Sequence, residues 1–155
     1  MVRVVATGVF DLIHLGHVHF LEEAKKLGDE LVVIVATDAT VRKHKHVPIT
    51  PQEMRVKLVS ALKPVDRAVL GHEGDPYEII EELKPDIIVI GYDQPYEPER
   101  LSADLRERGL DVKVVRLGHY DADLNGTRKI IKRIEKRLAK NELYGGKTDE
   151  EDRDC

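Results

Sequence analysis

Tryptophan is missing from this chain of 155 residues, phenylalanine occurs twice, and the single cysteine, Cys155, is the last residue. One cysteine excludes an internal disulfide framework and a zinc cluster built on thiolates. No apolar run approaches the roughly 20 residues that a membrane-spanning helix needs. The chain also opens on a strand-like apolar pattern instead of the charged and apolar regions of a leader. These absences point to a cytoplasmic protein with no membrane partner. A strong charge imbalance is absent too. The 25 basic and 29 acidic residues give a net charge of −4, which excludes a body built as a whole to bind polyanions.

What is present is a charge-rich globular composition, 41% hydrophobic and 35% charged, at the length of one domain. Charge is placed unevenly. Residues 128–140 hold seven bases and one acid, whereas residues 147–155 hold five acids and two bases. The basic stretch has no aromatic residue on which bases would stack, so it reads as a solvated helix face and nucleic acid is not an expected partner. The acidic stretch follows Gly145-Gly146 and reads as a disordered tail, giving a domain over 1–143 and a tail over 144–155.

Apolar runs alternate with helical patterns. Strands are predicted over 2–6, 31–36, 66–70, 87–90 and 112–115. Continuous runs such as Leu31-Val32-Val33-Ile34-Val35 suit strands buried on both faces. Between them, Val18, Leu21 and Ala24 fall at helical spacing, with Gly28 as a stop. Thr50-Pro51-Gln52-Glu53 reads as a capped helix start, followed by a stripe of Met54, Leu58 and Leu62. Asp75-Pro76-Tyr77-Glu78 repeats the cap ahead of Ile79, Ile80 and Leu83. Leu101 and Leu105 carry a further helix that stops near Gly109, and Ile130, Ile131, Ile134 and Leu138 carry the last. Strands alternating with helices predict an α/β domain with a parallel sheet. Ligands bind such sheets beyond the carboxyl ends of the strands.

Three of those ends look chemical. After the first strand come Thr7-Gly8-Val9-Phe10-Asp11 and His14-Leu15-Gly16-His17. A helix start there favours anions, Gly16 would let a phosphate approach the backbone, and His14 and His17 share a side one turn apart. Two surface histidines, or nitrogen ligands for zinc drawn from His14, His17, His19, His44 and His46, are the competing readings. After the second strand, Arg42-Lys43-His44-Lys45-His46 reads as a basic loop that could close on a triphosphate, or as a solvated loop. Arg55, on the next helix, looks by itself like a surface arginine. After the fourth strand, Gly91-Tyr92-Asp93-Gln94 suits a nucleoside or an ordinary turn. Asn125-Gly126-Thr127-Arg128 opens the last helix with a hydroxyl and a cation beside the helix N-terminus, again suited to phosphate.

The G-x-F-D element and the H-x-G-H tetrapeptide together resemble the cytidylyltransferase-like nucleotidyltransferases. Within that group the chain is most similar to the archaeal FAD synthases, through residues 24–31, Lys84-Pro85-Asp86-Ile87-Ile88-Val89-Ile90-Gly91 and Thr127-Arg128-Lys129-Ile130-Ile131. The resemblance implies one Rossmann-like domain with strand order 3-2-1-4-5, a homodimer, and transfer of AMP from ATP to FMN with release of pyrophosphate. Glycerol-3-phosphate cytidylyltransferases, which use CTP, share several of these positions, and a nucleotide sensor on the same scaffold is the non-enzymatic alternative. His14, His17, Lys45 and Arg55 would be the catalytic set. Gly8, Val9, Phe10, Gly16, Asp93, Thr127 and Arg128 would bind nucleotide with the two histidines, and Asp11 and Lys43 would face the acceptor. Mg²⁺ would arrive with the nucleotide.

Overall fold

The five apolar runs form the parallel strands β1 (Arg3–Gly8), β2 (Glu30–Val35), β3 (Arg67–Leu70), β4 (Ile87–Ile90) and β5 (Lys113–Arg116). They pair in the order β3-β2-β1-β4-β5, as expected from the resemblance. The structure is a computed structural model that describes residues 1–44 and 46–143. The acidic stretch read as a tail, 144–155, and Lys45 lie outside the described residues. Among the described residues, five helices join the strands, α1 (Leu15–Lys25), α2 (Asp38–Lys43), α3 (Gln52–Ser60), α4 (Glu78–Leu83) and α5 (Pro98–Glu107), and α6 (Thr127–Ala139) follows β5. None is long and apolar enough to cross a membrane.

Strand side chains alternate between faces, so each run feeds two cores. Val4, Ala6, Leu31, Val33 and Val35 face α1 and α3, meeting Leu21, Ala24 and Val59. Val5, Val32, Ile34, Ile88 and Ile90 face α4 and α5, meeting Ile79, Ile80, Leu83, Leu101 and Leu105. This two-sided burial is why the strands read as continuous apolar runs. At the end of α5, Gly109 turns the chain at φ +82°, a conformation that costs glycine little.

Several local expectations are corrected. The basic loop after β2 begins as helix α2, whose first turn is capped by Thr37 Oγ1 accepting from the Thr40 N–H at 3.1 Å. Helix α3 starts at Gln52 with Pro51 in the cap position, because the Thr50 hydroxyl donates to Asp11 Oδ1 at 2.7 Å instead of capping. Its expected apolar stripe is turned outward: Met54 and Leu58 are exposed, while Arg55 and Val59 are buried. Asp75 Oδ1 accepts from the Tyr77 N–H at 3.0 Å and shapes the turn before α4, whose cap position is Tyr77. Helix α1 ends at Lys25, and Gly28 beyond it is required by lack of space, since a Cβ there would lie 2.7 Å from Val4 Cγ2. Finally, α6 buries none of its residues, and Ile134 and Leu138 stand exposed.

Candidate active site

β1 lies between β2 and β4, at the point where strand order reverses, and its carboxyl end is where an open parallel sheet binds ligands. The chain must pass from β1 into α1 within a few residues. It does so with Phe10 and Leu12 in the left-handed region, φ +57° and +53°, at a cost of about 1–2 kcal/mol each. Packing sustains that strain. Phe10 is in the core, and its ring lies over Gly8, where a Cβ would meet it at 2.8 Å. Gly8 and Phe10 therefore build the floor of the corner, with the Phe10 ring packed into the core. The Val9 side chain is exposed, and its carbonyl accepts from Arg55 at 2.8 Å.

On that floor stand the two histidines. His14 occupies the cap position of α1 with extended backbone, and His17 is one turn further on. Their rings stack with centroids 3.7 Å apart, and the His17 ring lies 5.3 Å from that of Phe10. The His14 backbone N–H donates to His17 Nδ1 at 3.3 Å. A nitrogen that accepts carries no proton, so neutral His17 is the Nε2–H tautomer and Nε2 is a donor. Burial, reinforced by neighbouring His14, pushes the His17 pKa down to about 3. Burial also lowers that of His14. Near neutral pH the pair offers uncharged imidazoles. His14 Nδ1 is buried without a hydrogen-bond partner among the described residues.

A second helix start converges on the first. A Cβ on Gly16 would lie 2.5 Å from the Asn125 carbonyl oxygen and 2.8 Å from the His14 ring. The space on the Cβ side of Gly16 is thus filled by the chain itself, so only glycine fits where the two helix starts meet. Two residues beyond Asn125, the Thr127 hydroxyl at the start of α6 donates to the Asp11 carbonyl at 2.6 Å. Gly126, the cap residue of α6, has no side chain to occupy the first turn. The positive ends of α1 and α6 therefore meet at one place, an arrangement that favours anions. Arg128 is exposed on the first turn of α6.

Asp11 and Arg55 hold this corner from behind. Asp11 accepts from the Ile49 N–H at 2.8 Å and from the Thr50 N–H and hydroxyl at 3.0 and 2.7 Å. Burial raises its pKa, but these bonds and nearby Arg55 outweigh it and keep the carboxyl ionised. Both oxygens are spent on the loop ahead of α3, so Asp11 is an anchor and not a free acceptor-binding group. Arg55 is completely buried. Its Nε donates to the Thr50 carbonyl, and its terminal nitrogens donate to the carbonyls of Val9 and Ala36 and to Asp38 Oδ1 at 2.6 Å. Four of its five N–H groups are engaged, so it ties β1, β2 and α3 together and does not reach outward as a surface arginine would.

The fourth strand leads into a loop whose organisation was not visible in the sequence. Gln94 Oε1 accepts from the Gly91 N–H at 2.6 Å, and its amide nitrogen lies 3.4 Å from both oxygens of Thr7. From β5, Arg116 donates to the carbonyls of Gly91, Tyr92, Gln94 and Tyr96. Asp93 is exposed on this loop. Beside it, Tyr92 meets His119 edge to face at 4.5 Å, and Tyr120 stacks on His19 at 4.2 Å. Asn125 bridges these groups, donating to the Tyr120 carbonyl at 2.5 Å and lying 3.2 Å from His119 Nε2. Scattered tyrosines and a terminal-strand arginine give no sequence signal of their own. Only their position at strand ends hints at them.

Lys43 is spent elsewhere, with Nζ donating to the Glu73 carbonyl at 3.1 Å. The nitrogen-ligand alternative is not assembled. Among the described residues no three of His14, His17, His19, His44 and His46 gather around a common point.

The chain is similar to known proteins over most of its length. Residues 5–148 match the family model described as cytidylyltransferase-like. The chain is 58% identical to the FAD synthase of Aciduliprofundum boonei over 145 residues, 93% of this chain and 96% of that one. It is 59% identical to the FAD synthase of Archaeoglobus profundus over 86% of each chain. A crystal structure described as a lipopolysaccharide core biosynthesis protein, from Thermoplasma volcanium, superposes with a TM-score of 0.77 at 54% identity. It covers 78% of this chain and 99% of that one. The chain is therefore a member of the cytidylyltransferase-like nucleotidyltransferases, in the family of the archaeal FAD synthases.

Proposed function

We propose that this nucleotidyltransferase transfers the adenylyl group of ATP to the phosphate of FMN. An oxygen of the FMN phosphate forms a bond to the α-phosphorus of ATP, the α–β bridging bond breaks, and pyrophosphate leaves with FAD as the product. The observation that carries this reading is identity of 58–59% with FAD synthases across 86–93% of the chain.

The geometry supports roles for particular groups. The Nε2–H of His17 and the stacked His14 ring are placed to hydrogen-bond triphosphate oxygens, and as neutral donors they stabilise charge that grows during transfer. The first turn of α6, with Arg128, supports the phosphates from the other side. Thr127 joins them only if its hydroxyl leaves the Asp11 carbonyl. Asp93 and the loop held by Arg116 flank the nucleoside. Arg55 and Asp11 act at one remove, by fixing the corner. Lys45 keeps the role that the resemblance assigns to it, and Lys43 reaches an acceptor only by releasing Glu73.

Magnesium fits as an ion carried on the nucleotide. The carboxylate beside the histidines, Asp11, is already committed, and Mg²⁺ is commonly held through substrate phosphates and water. When bound it neutralises phosphate charge. A homodimer and a cytoplasmic location belong to the same reading, and light scattering reads the first. The decisive experiment offers ATP or CTP with FMN or glycerol 3-phosphate, in the presence of Mg²⁺, and measures pyrophosphate. Release with ATP and FMN together with FAD formation is the expected result. Release only with CTP and the phosphoalcohol would overturn the assignment of substrates, and silence in all mixtures would favour a nucleotide sensor.

A further inference from the structure

On the edge strand, two residues beyond the end of β3, His72 stands between two carboxylates of α4. Its Nδ1 lies 3.4 Å from Glu78 Oε2 and its Nε2 lies 3.5 Å from Glu82 Oε1. Glu78 and Glu82 are four residues apart, so the helix presents them on one side. The surroundings are acidic: residues 73–82 contain Glu73, Asp75, Glu78, Glu81 and Glu82 and no base. Arg108 pairs with Asp75 and Glu81, at 2.7 and 3.1 Å. That leaves Glu78 and Glu82 with His72 as their one cationic or coordinating neighbour among the described residues. The proposed transfer reaction uses none of these three side chains.

We propose that His72, Glu78 and Glu82 form a binding site for a divalent transition-metal ion of the zinc class. One ligand atom from each residue lies within 4.8 Å of the others. A zinc ion with bonds of about 2.1 Å holds tetrahedral ligands roughly 3.4 Å apart and takes one nitrogen of His72, so one exposed glutamate stays beside that nitrogen and the other swings toward it from the opposite one. An imidazole nitrogen with two carboxylates suits zinc, whereas magnesium prefers an all-oxygen shell. This separates the site from any Mg²⁺ that travels with the nucleotide. The bound ion joins the β3–α4 loop to α4. Because Glu73 of that loop accepts from Lys43 of α2, it also braces the edge from which the basic segment departs.

The test is zinc titration of the chelator-treated full chain by calorimetry, with melting temperature as a second readout. Other histidines can take zinc, so the comparison is among wild type, H72A, E82Q and E81Q, the last altering a carboxylate that faces Arg108. Wild type and E81Q are expected to bind one more zinc ion than H72A and to gain more in melting temperature. In E82Q that ion is weakened by about tenfold or more. Zinc stoichiometry and affinity that are the same in H72A as in wild type, whether the number bound is zero or several, would overturn the site. So would an E82Q chain that binds as wild type does.

Discussion

Two groups of nitrogen-bearing side chains back onto the end of β1, and they are built in opposite ways. At the start of α1, the rings of His14 and His17 stack on each other, and that of His17 tilts against Phe10. One His14 nitrogen has no partner, and a His17 nitrogen is left to donate. On α3, the guanidinium of Arg55 is wholly buried and distributes its N–H groups over three carbonyls and a carboxylate. A polar group held in place with bonds still to make can act on a ligand. One whose bonds are nearly all made within the protein acts mainly by holding the protein. On the proposed reading, the difference gives chemistry to the histidines and architecture to the arginine, although the resemblance places both in one catalytic set.

The arginine side of that contrast breaks most visibly. Arg55→Ala leaves the Asp38 carboxylate and the carbonyls of Thr50, Val9 and Ala36 without their donor. Removing one partner of a buried pair costs about 3–5 kcal/mol. Denaturant unfolding is expected to register that loss, with Arg55→Lys recovering part of it because one ammonium cannot span four acceptors. An alanine variant as stable as wild type, but inactive, would move Arg55 across to the chemical side.

The histidine side predicts the reverse pattern. In His17→Asn a side-chain oxygen remains to accept from the His14 N–H while the Nε2 donor is lost, and His14→Ala removes the partner ring. Each is expected to lower turnover by about 10²–10³ with little change in unfolding midpoint, the scale of losing one donor to transition-state charge. Turnover close to wild type in both would remove the pair from the mechanism.

The histidine pair was legible in the sequence because its spacing is local: a strand run, a glycine and two imidazoles one helical turn apart. The strands and their sheet were legible for a related reason, since burial on both faces leaves apolar runs that need no partner to be seen. Arg55 was not, because helical periodicity treats a charged residue as marking the solvent face. Its burial depends on carbonyls of Val9 and Ala36, 46 and 19 residues away. The same dependence on distant backbone hid the role of Gly16, whose neighbour is Asn125. It also hid that of Asp11, whose partners are Ile49 and Thr50.

The contrast also has a signature in pH. With a pKa near 3 in the folded chain and about 6.5 when unfolded, His17 is protonated more readily in the unfolded state between those values. The unfolded state then binds more protons, so stability rises with pH across that window and is complete above about 6.5. On acidification it falls from about pH 6.5 toward pH 3, and the carboxylates of Asp11 and Asp38, held below their usual values, add their own loss only near the acidic end. The histidine contribution is therefore isolated between about pH 6.5 and 5, where roughly 1.5–2 kcal/mol from His17 is expected to disappear from the unliganded protein, with His14 adding in the same direction. His17→Asn should flatten that part of the profile. An unchanged slope would mean that the ring is not held neutral.

Arg116 tests whether the number of carbonyls gathered decides, because it gathers four of them but lies at the surface. Its guanidinium gathers the carbonyls of Gly91, Tyr92, Gln94 and Tyr96 at one point, beside the weaker contacts of Gln94 with Thr7 and of Tyr92 with His119. Water can replace those bonds in Arg116→Ala, so the unfolding free energy is expected to change by less than about 1 kcal/mol. The loop beside Thr7 and Asp93 loses its shape instead. On the proposed reading this raises the KM for ATP by roughly tenfold and leaves kcat within about twofold, since binding and not the transition state is affected. Arg116→Lys should fall between the two, holding one or two carbonyls of the four. A fall in kcat at constant KM would place Arg116 with the histidines, and a large loss of stability would place it with Arg55.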